Sequence, residues 1–213
     1  MFWSWPDRNS IYKLLSYVDI RKSRFNQLFC EVSNNCQGKE DKNKGQKPQK
    51  LGGRNMAETL GSLIDKLAIK SIKEFYIKRM LQTKKAKFSK CQLKDKLEIL
   101  RKQKRSLLKE IEEFIMEAPA GRITLSDEKL KLYNKPHRIG RIGNINSVSG
   151  AIGGLTKKNL ELWHLEDEAR REDVSLSYIG SIKKKIDVAN QQRNDLIDKI
   201  DVLFDQKLKK LKN

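Results

Sequence analysis

Four stretches of the chain set apolar residues three and four apart, the spacing of helices that bury one side. Leu60, Leu63, Ile64, Leu67, Ser71, Phe75 and Lys78 form the first stripe and predict a helix from Thr59 to about Lys84. Leu93, Leu97, Leu100, Leu107, Ile111, Phe114 and Ile115 form the second, over about Lys90 to Glu117, and Pro119-Ala120-Gly121 ends it. A third helix is expected from about Ser149 to Glu172 and a fourth from about Ser177 to Lys210. In the fourth, Ile179, Ile182, Ile186, Ala189, Arg193, Leu196, Ile200 and Leu203 repeat as a heptad seam in which Arg193 is the one charge. These elements predict an all-α fold, a helical bundle of two long antiparallel hairpins with a short extra helix and an irregular Gly-rich connection. Offset by 88 residues, Ile64, Leu67, Ser71, Ile72 and Phe75 match Ile152, Leu155, Asn159, Leu160 and Trp163 in pattern and size, which supports the two-hairpin plan.

Outside these helices the chain changes character. Residues 1–55 offer one short helical stretch near Ile11 to Val18, then a polar run from Asn34 to Arg54 with almost no apolar residues, which predicts disorder. Because the amphipathic pattern begins at Met56, that residue is the expected true start, residues 1–55 being a disordered or mispredicted extension and 56–213 a single helical-bundle domain. Gly53-Arg54 fits this, since a purine-rich codon pair there would resemble a ribosome-binding site. Further on, Ser126 with Asp127 and Glu128 predicts a capped short helix to about Tyr133. The connection that follows, punctuated by Pro136, Gly140, Gly143, Gly150, Gly153 and Gly154, carries Lys135, His137, Arg138 and Arg141. It leads into a helix N-terminus, where free backbone N–H groups can hold an anion. No phosphate-loop or dinucleotide fingerprint accompanies it, so an ordinary connection is the simpler reading.

Composition narrows the class. With 38% hydrophobic and 34% charged residues, long amphipathic helices are favoured over a bulky globule. A net charge of +19 invites a polyanion, yet the lysines are spread around the helices with few aromatics between them for base stacking, so a solvated basic surface is expected and nucleic acid is not. Cys30, Cys36 and Cys91 form an unpatterned odd set, which fits a reducing compartment rather than a disulfide framework. Adding His137 and His164 gives no recognisable zinc spacing, and no cofactor is expected. No apolar run approaches the ~20 residues of a membrane span. Trp3 and Trp5 near the beginning are followed by Lys13 and Asp19 before a signal-peptide core can form, which leaves the cytoplasm as the default.

The densest polar pattern lies on the third helix, from Asn159 to Arg171. At 100° per residue, Asn159, Trp163, Glu166 and Arg170 fall within about 60° of one another, on the side of Ile152, Leu155 and Leu162 that should face the core. Charged groups placed there need partners, because an unpaired buried charge costs several kcal/mol. An antiparallel hairpin turning near Asp173 to Ser175 puts Glu166 level with about Ile182 and Asn159 level with about Ala189. Arg193 then stands ~16 Å beyond Glu166, too far for a direct pair. Asn159, Asn190 and Arg193 can share one level, Glu166 suits Lys185 or Arg170, and the acid for Arg193 must come from the first hairpin, with Glu74 or Asp65 the candidates. The candidate layer is therefore Asn159, Trp163, Glu166, Asp167, Arg170, Asn190, Arg193 and Asn194, with Glu74 and Asp65 opposite.

The simplest reading of this layer is a satisfied network that specifies how the helices dock. As an interhelical pocket it would hold a sugar or phosphate, with Trp163 as stacking platform and the arginines as anion clamps. A separate catalytic reading pairs His164 with Asp167 or Glu168 at i+3 and i+4 as a metal pair or acid/base couple, but His164 turns about 100° from Trp163 towards Glu161, Glu168 and Arg171, the expected solvent side.

The segments Asn159-Leu-Glu-Leu-Trp163-His-Leu-Glu-Asp-Glu-Ala-Arg170 and Ile186-Asp-Val-Ala-Asn190-Gln-Gln-Arg193-Asn-Asp195-Leu-Ile-Asp-Lys-Ile-Asp201 resemble the bacterial family called domain of unknown function 4254. Leu60-Gly-Ser-Leu-Ile-Asp65-Lys-Leu is similar to its first helix, and the resemblance covers roughly residues 57–206. It implies a bacterial cytoplasmic protein, with members often encoded near glycosyltransferases of cell-surface polysaccharide pathways, and it brings no activity. The expected function is a non-catalytic interaction or accessory factor whose partner is a protein, such as a glycosyltransferase-pathway enzyme, or a second copy of the chain. A ligand-binding protein or enzyme using the interhelical pocket is the alternative, and a basic nucleic-acid-binding protein the second alternative.

Overall fold

The computed structural model describes residues 58–83, 88–123, 125 and 142–212. Four helices occupy them, α1 (Leu60–Gln82), α2 (Lys90–Glu117), α3 (Val148–Ala169) and α4 (Leu176–Lys212), with no strand among the described residues. The expectations for Ile11 to Val18, Asn34 to Arg54, Met56, the helix from Ser126 to Tyr133, and Lys135, His137, Arg138 and Arg141 lie outside the described residues.

Each helix starts where a hydroxyl side chain can take an orphan backbone N–H. Thr59 Oγ1 accepts from Ser62 N, Ser147 Oγ from Gly150 N and Ser175 Oγ from Tyr178 N. Ser89 and Gln92 form a reciprocal capping box at the head of α2, at 3.2 and 3.0 Å. Past the end of α2, Gly121 adopts φ 68°, a left-handed conformation that favours glycine, and so turns the chain out of the helix. The third helix, expected from about Ser149, begins at Val148. Gly150, Gly153 and Gly154 belong to the first two turns of α3, because the Ser147 cap supplies the nucleation that their low helix propensity opposes.

The helices pack as two antiparallel hairpins. Lys70 on α1 reaches Gln103 on α2, while Ile77, further along α1, packs with Leu93, Leu97 and Leu100, earlier on α2. In the second hairpin Tyr178 meets Glu168, and Gly154 lies against Leu196. The main core forms where all four helices meet. Leu60, Leu63, Ile64 and Leu67 of α1 pack there with Ile111, Phe114 and Ile115 of α2, Ala151 and Leu155 of α3, and Leu196, Ile200, Phe204 and Leu208 of α4. Burial of these side chains, worth roughly 1.5–3 kcal/mol each, is the main force joining the hairpins.

One close approach sets the angle of α1. A Cβ on Gly61 would stand 2.4 Å from the Ile197 carbonyl oxygen, so only glycine lets α1 lie this near the α4 backbone. The Gly61 N–H donates to Asp201 Oδ1 at 2.7 Å, which places an α4 carboxylate at the positive end of the α1 dipole.

The 88-residue offset extends to the element boundaries. Thr59 and Ser147 are both N-caps, and α1 and α3 begin one residue after them. Tyr76 and His164, related by the same offset, are in contact.

Candidate functional site

Of the expected polar layer, the structure brings together Asp65, Asn159 and Arg193. Asp65 projects from the side of α1 that faces α3 and α4, and it is 4% exposed. Arg193 meets it with two parallel contacts, Nε to Oδ1 at 2.9 Å and Nη2 to Oδ2. Asn159 Nδ2 donates to Oδ1 at 2.8 Å. One carboxylate thus ties three helices and has both oxygens occupied by donors, and the two-pronged guanidinium fixes its plane. Asp65 holds the Arg193 guanidinium protonated against the opposing effect of burial. Two further buried hydroxyls close on their own helices, Ser71 Oγ to the Leu67 carbonyl and Thr156 Oγ1 to the Ile152 carbonyl.

Glu74, the other acid considered for Arg193, belongs to a different contact. It is buried between the helices of the first hairpin, where Lys104 and Lys78 each donate to it at 2.7 Å and Arg101 stands at 3.7 Å. Burial pushes the Glu74 carboxyl up, but the hydrogen bonds and charge of Lys104 and Lys78 outweigh it and hold the carboxyl below its usual range. Lys104 sits in the α2 stripe at the expected spacing between Leu100 and Leu107, which is the signal that could have marked it.

Four of the expected members do not face the interior. Glu166, Asp167 and Arg170 are exposed and pair with one another, Arg170 reaching Glu166 at 3.4 Å and Asp167 at 3.2 Å. The angular placement of Glu166 and Arg170 on the Asn159 side follows from the helix, but burial also needs a neighbour at that level. Towards the end of α3 its contacts with α1 are at Asn159, Leu160, Trp163 and His164, and the stripe continues into water beyond them. Asn194 is exposed, because it follows Arg193 by one residue and so turns about 100° away from the seam. Asn190 is half-buried on α4.

His164, placed on the solvent side from the sequence, is half-buried instead. The cause is Tyr76 of α1, a residue the sequence reading passed over. Its ring stacks on Trp163 with centroids 5.1 Å apart and an interplanar angle of 12°, and its hydroxyl shares a hydrogen bond with His164 Nε2 at 3.1 Å. Phe75 meets Tyr76 edge-on at 5.5 Å, and Ile72, Leu160 and these rings form a small cluster of their own. Burial lowers the His164 pKa, with Asp167 acting to raise it and Arg79 to lower it further. Burial likewise pushes the Tyr76 hydroxyl up to about 12. Both groups are uncharged at neutral pH. The 88-residue offset could have found Tyr76, since it maps that residue onto His164.

No group of three or more metal-ligating side chains suited to an ion occurs among the described residues. None of the described helices is long and apolar enough to cross a membrane.

A family model described as Protein of unknown function (DUF4254) matches residues 41–126 and 151–213, most of the chain. The chain belongs to this family. The DUF4254 match starts ahead of Met56, extends past the 57–206 span of the sequence resemblance at both ends, and leaves residues 1–40 and 127–150 unmatched. It includes the three residues of the Asp65 contact and both partners of the Tyr76–His164 contact. Neither the curated proteins nor the solved structures contain a significant match.

Proposed function

We propose that this DUF4254 protein is a non-catalytic interaction or accessory factor whose interior polar layer fixes how its two hairpins dock. The observation that carries this reading is the occupancy of Asp65. Arg193 and Asn159, the groups best suited to clamp a phosphate or a sugar, are already spent on one buried carboxylate. An arginine committed in this two-pronged way has little left for an incoming anion, whereas a ligand site keeps convergent polar groups turned towards an opening. A satisfied buried network instead specifies a unique arrangement of the helices around it. Function then falls to the outer surface.

The family resemblance implies a setting beside glycosyltransferases of cell-surface polysaccharide pathways, and an enzyme of such a pathway is the partner proposed. The full chain, tagged in the bacterium that encodes it, is expected to co-purify with one such enzyme in comparable amount. Recovery of the chain alone after crosslinking contradicts the reading.

A further inference from the structure

The positive charge of the chain is not shared between its hairpins. From Lys66 to Lys109 the sequence holds 16 Lys and Arg against 3 Asp and Glu, whereas from Val148 to Lys212 it holds 13 against 11. Of the three acids in the first span, Glu74 is buried and neutralised by Lys78 and Lys104. The rest of α2 beyond Lys109 reverses sign, with Glu110, Glu112, Glu113 and Glu117 nearest the four-helix core. The positive charge is thus gathered towards the outer half of one hairpin.

That half is an arm. Its core of Ile77, Met80, Leu81, Leu93, Leu97 and Leu100 contains residues of α1 and α2 only. Lys73, Lys90, Lys94, Lys102 and Arg105 line its surface and are exposed. At the tip, Phe88 is 42% exposed with the Lys96 ammonium 5.5 Å from its ring centroid, and Ile99 on the flank is 57% exposed. The basic side chains of the span are 13 lysines and 3 arginines. Lysine is a mobile point charge suited to a diffuse field of phosphates, while arginine is the residue of bidentate base and phosphate recognition. One exposed aromatic at the tip, with Phe75 and Tyr76 of the span packed against α3, suits an interface between water and hydrocarbon better than a stacked strand of bases.

We propose that the α1–α2 arm docks on the surface of an anionic lipid bilayer, its lysines against the headgroup phosphates and Phe88 entering the interface. Each lysine near such a surface adds a modest attraction, and several together can hold a protein there without a spanning helix. The surface is separate from the Asp65 contact and does not depend on its role.

Co-sedimentation of the full chain with vesicles of phosphatidylcholine, with and without phosphatidylglycerol, tests this directly. Binding is expected only with phosphatidylglycerol and is expected to fall as salt is raised. Combined Lys90→Glu, Lys94→Glu and Lys102→Glu should lower partitioning more than about a hundredfold. Phe88→Ala, which leaves the charge unchanged, should lower it by a smaller factor. Lys183→Glu, Lys184→Glu and Lys185→Glu, the same charge change on exposed positions of α4, should cost much less. Equal binding to neutral vesicles overturns the proposal, as do equal losses from the α2 and α4 reversals. Preferential capture by a short DNA duplex in competition with the vesicles also overturns it, in favour of a nucleic-acid partner.

Discussion

Arg193 on α4 makes a two-point contact with Asp65 on α1, and the two partners are unequally placed: the arginine side chain is 26% exposed and the aspartate side chain 6%. Their removal should therefore have unequal consequences. Arg193→Ala leaves a buried carboxylate with Asn159 as its remaining described donor and is expected to cost roughly 3–5 kcal/mol. Asp65→Ala leaves an arginine that can swing towards water and should cost less, about 1–3 kcal/mol. Urea unfolding of the two variants, followed by circular dichroism, checks the order.

Gly61 and Gly153 should respond in opposite directions to the same substitution. Alanine is favoured over glycine by about 1 kcal/mol inside a helix. At Gly153 a Cβ meets nothing within 4 Å, so Gly153→Ala should gain most of that amount. At Gly61 the Cβ would meet the Ile197 carbonyl oxygen, so Gly61→Ala should lose a net 1–3 kcal/mol, roughly, as α1 is pushed off α4. Thermal midpoints of the two variants check the sign of each change.

Glu74 sets part of the acid stability. Its pKa in the folded chain lies below the ordinary value of 4.5, so the folded state gives up this proton more readily than the unfolded one. The contribution is full above about pH 4.5 and is lost as the pH falls through the folded value. Lys104→Met removes one of the two close ammonium partners. The variant should be less stable than the parent at pH 7, and the gap should narrow by about pH 3. Urea midpoints at the two pH values measure it.

His164 acts in the same direction at a higher pH. Burial lowers its pKa in the folded chain below the ordinary 6.5, so as the pH drops the unfolded chain takes up the proton first. Stability should be at its plateau above about pH 6.5 and decline below it until the folded histidine also titrates. His164→Gln, which keeps a polar side chain but cannot titrate, should remove this step from a series of thermal melts between about pH 5 and pH 8.

The helices were legible because their signals are local. Thr59, Ser89 and Ser147 head apolar stripes, and the bounds of α2 coincide with the run from Lys90 to Glu117. The need of Arg193 for an acid on the first hairpin was also legible, since a charge in a heptad seam must be paired and level-matching excluded Glu166. Which acid it is depends on the crossing of α1 over α4, and that angle is set by Gly61 against the Ile197 backbone, a contact between residues far apart in sequence. Periodicity gave Glu166 and Arg170 the correct side of α3, yet it carries no information on where α1 stops covering that side. Tyr76 was missed for a related reason. It lies off the first stripe, on the flank of α1 that meets α3, and a helix packed on two neighbours buries more than one stripe.

Replacing Asp65, Asn159 and Arg193 together by apolar residues of similar size, as Asp65→Leu, Asn159→Leu and Arg193→Met, separates a docking network from a ligand site most directly. If the three polar groups serve only to set the docking of the hairpins, the triple variant should match or exceed the parent in urea stability, as buried ion pairs exchanged for packed hydrophobes often do, and should still co-purify with the parent's partner enzyme. A triple variant that keeps its helical content and cooperative unfolding but loses that partner would contradict a docking role and return these residues to a binding site.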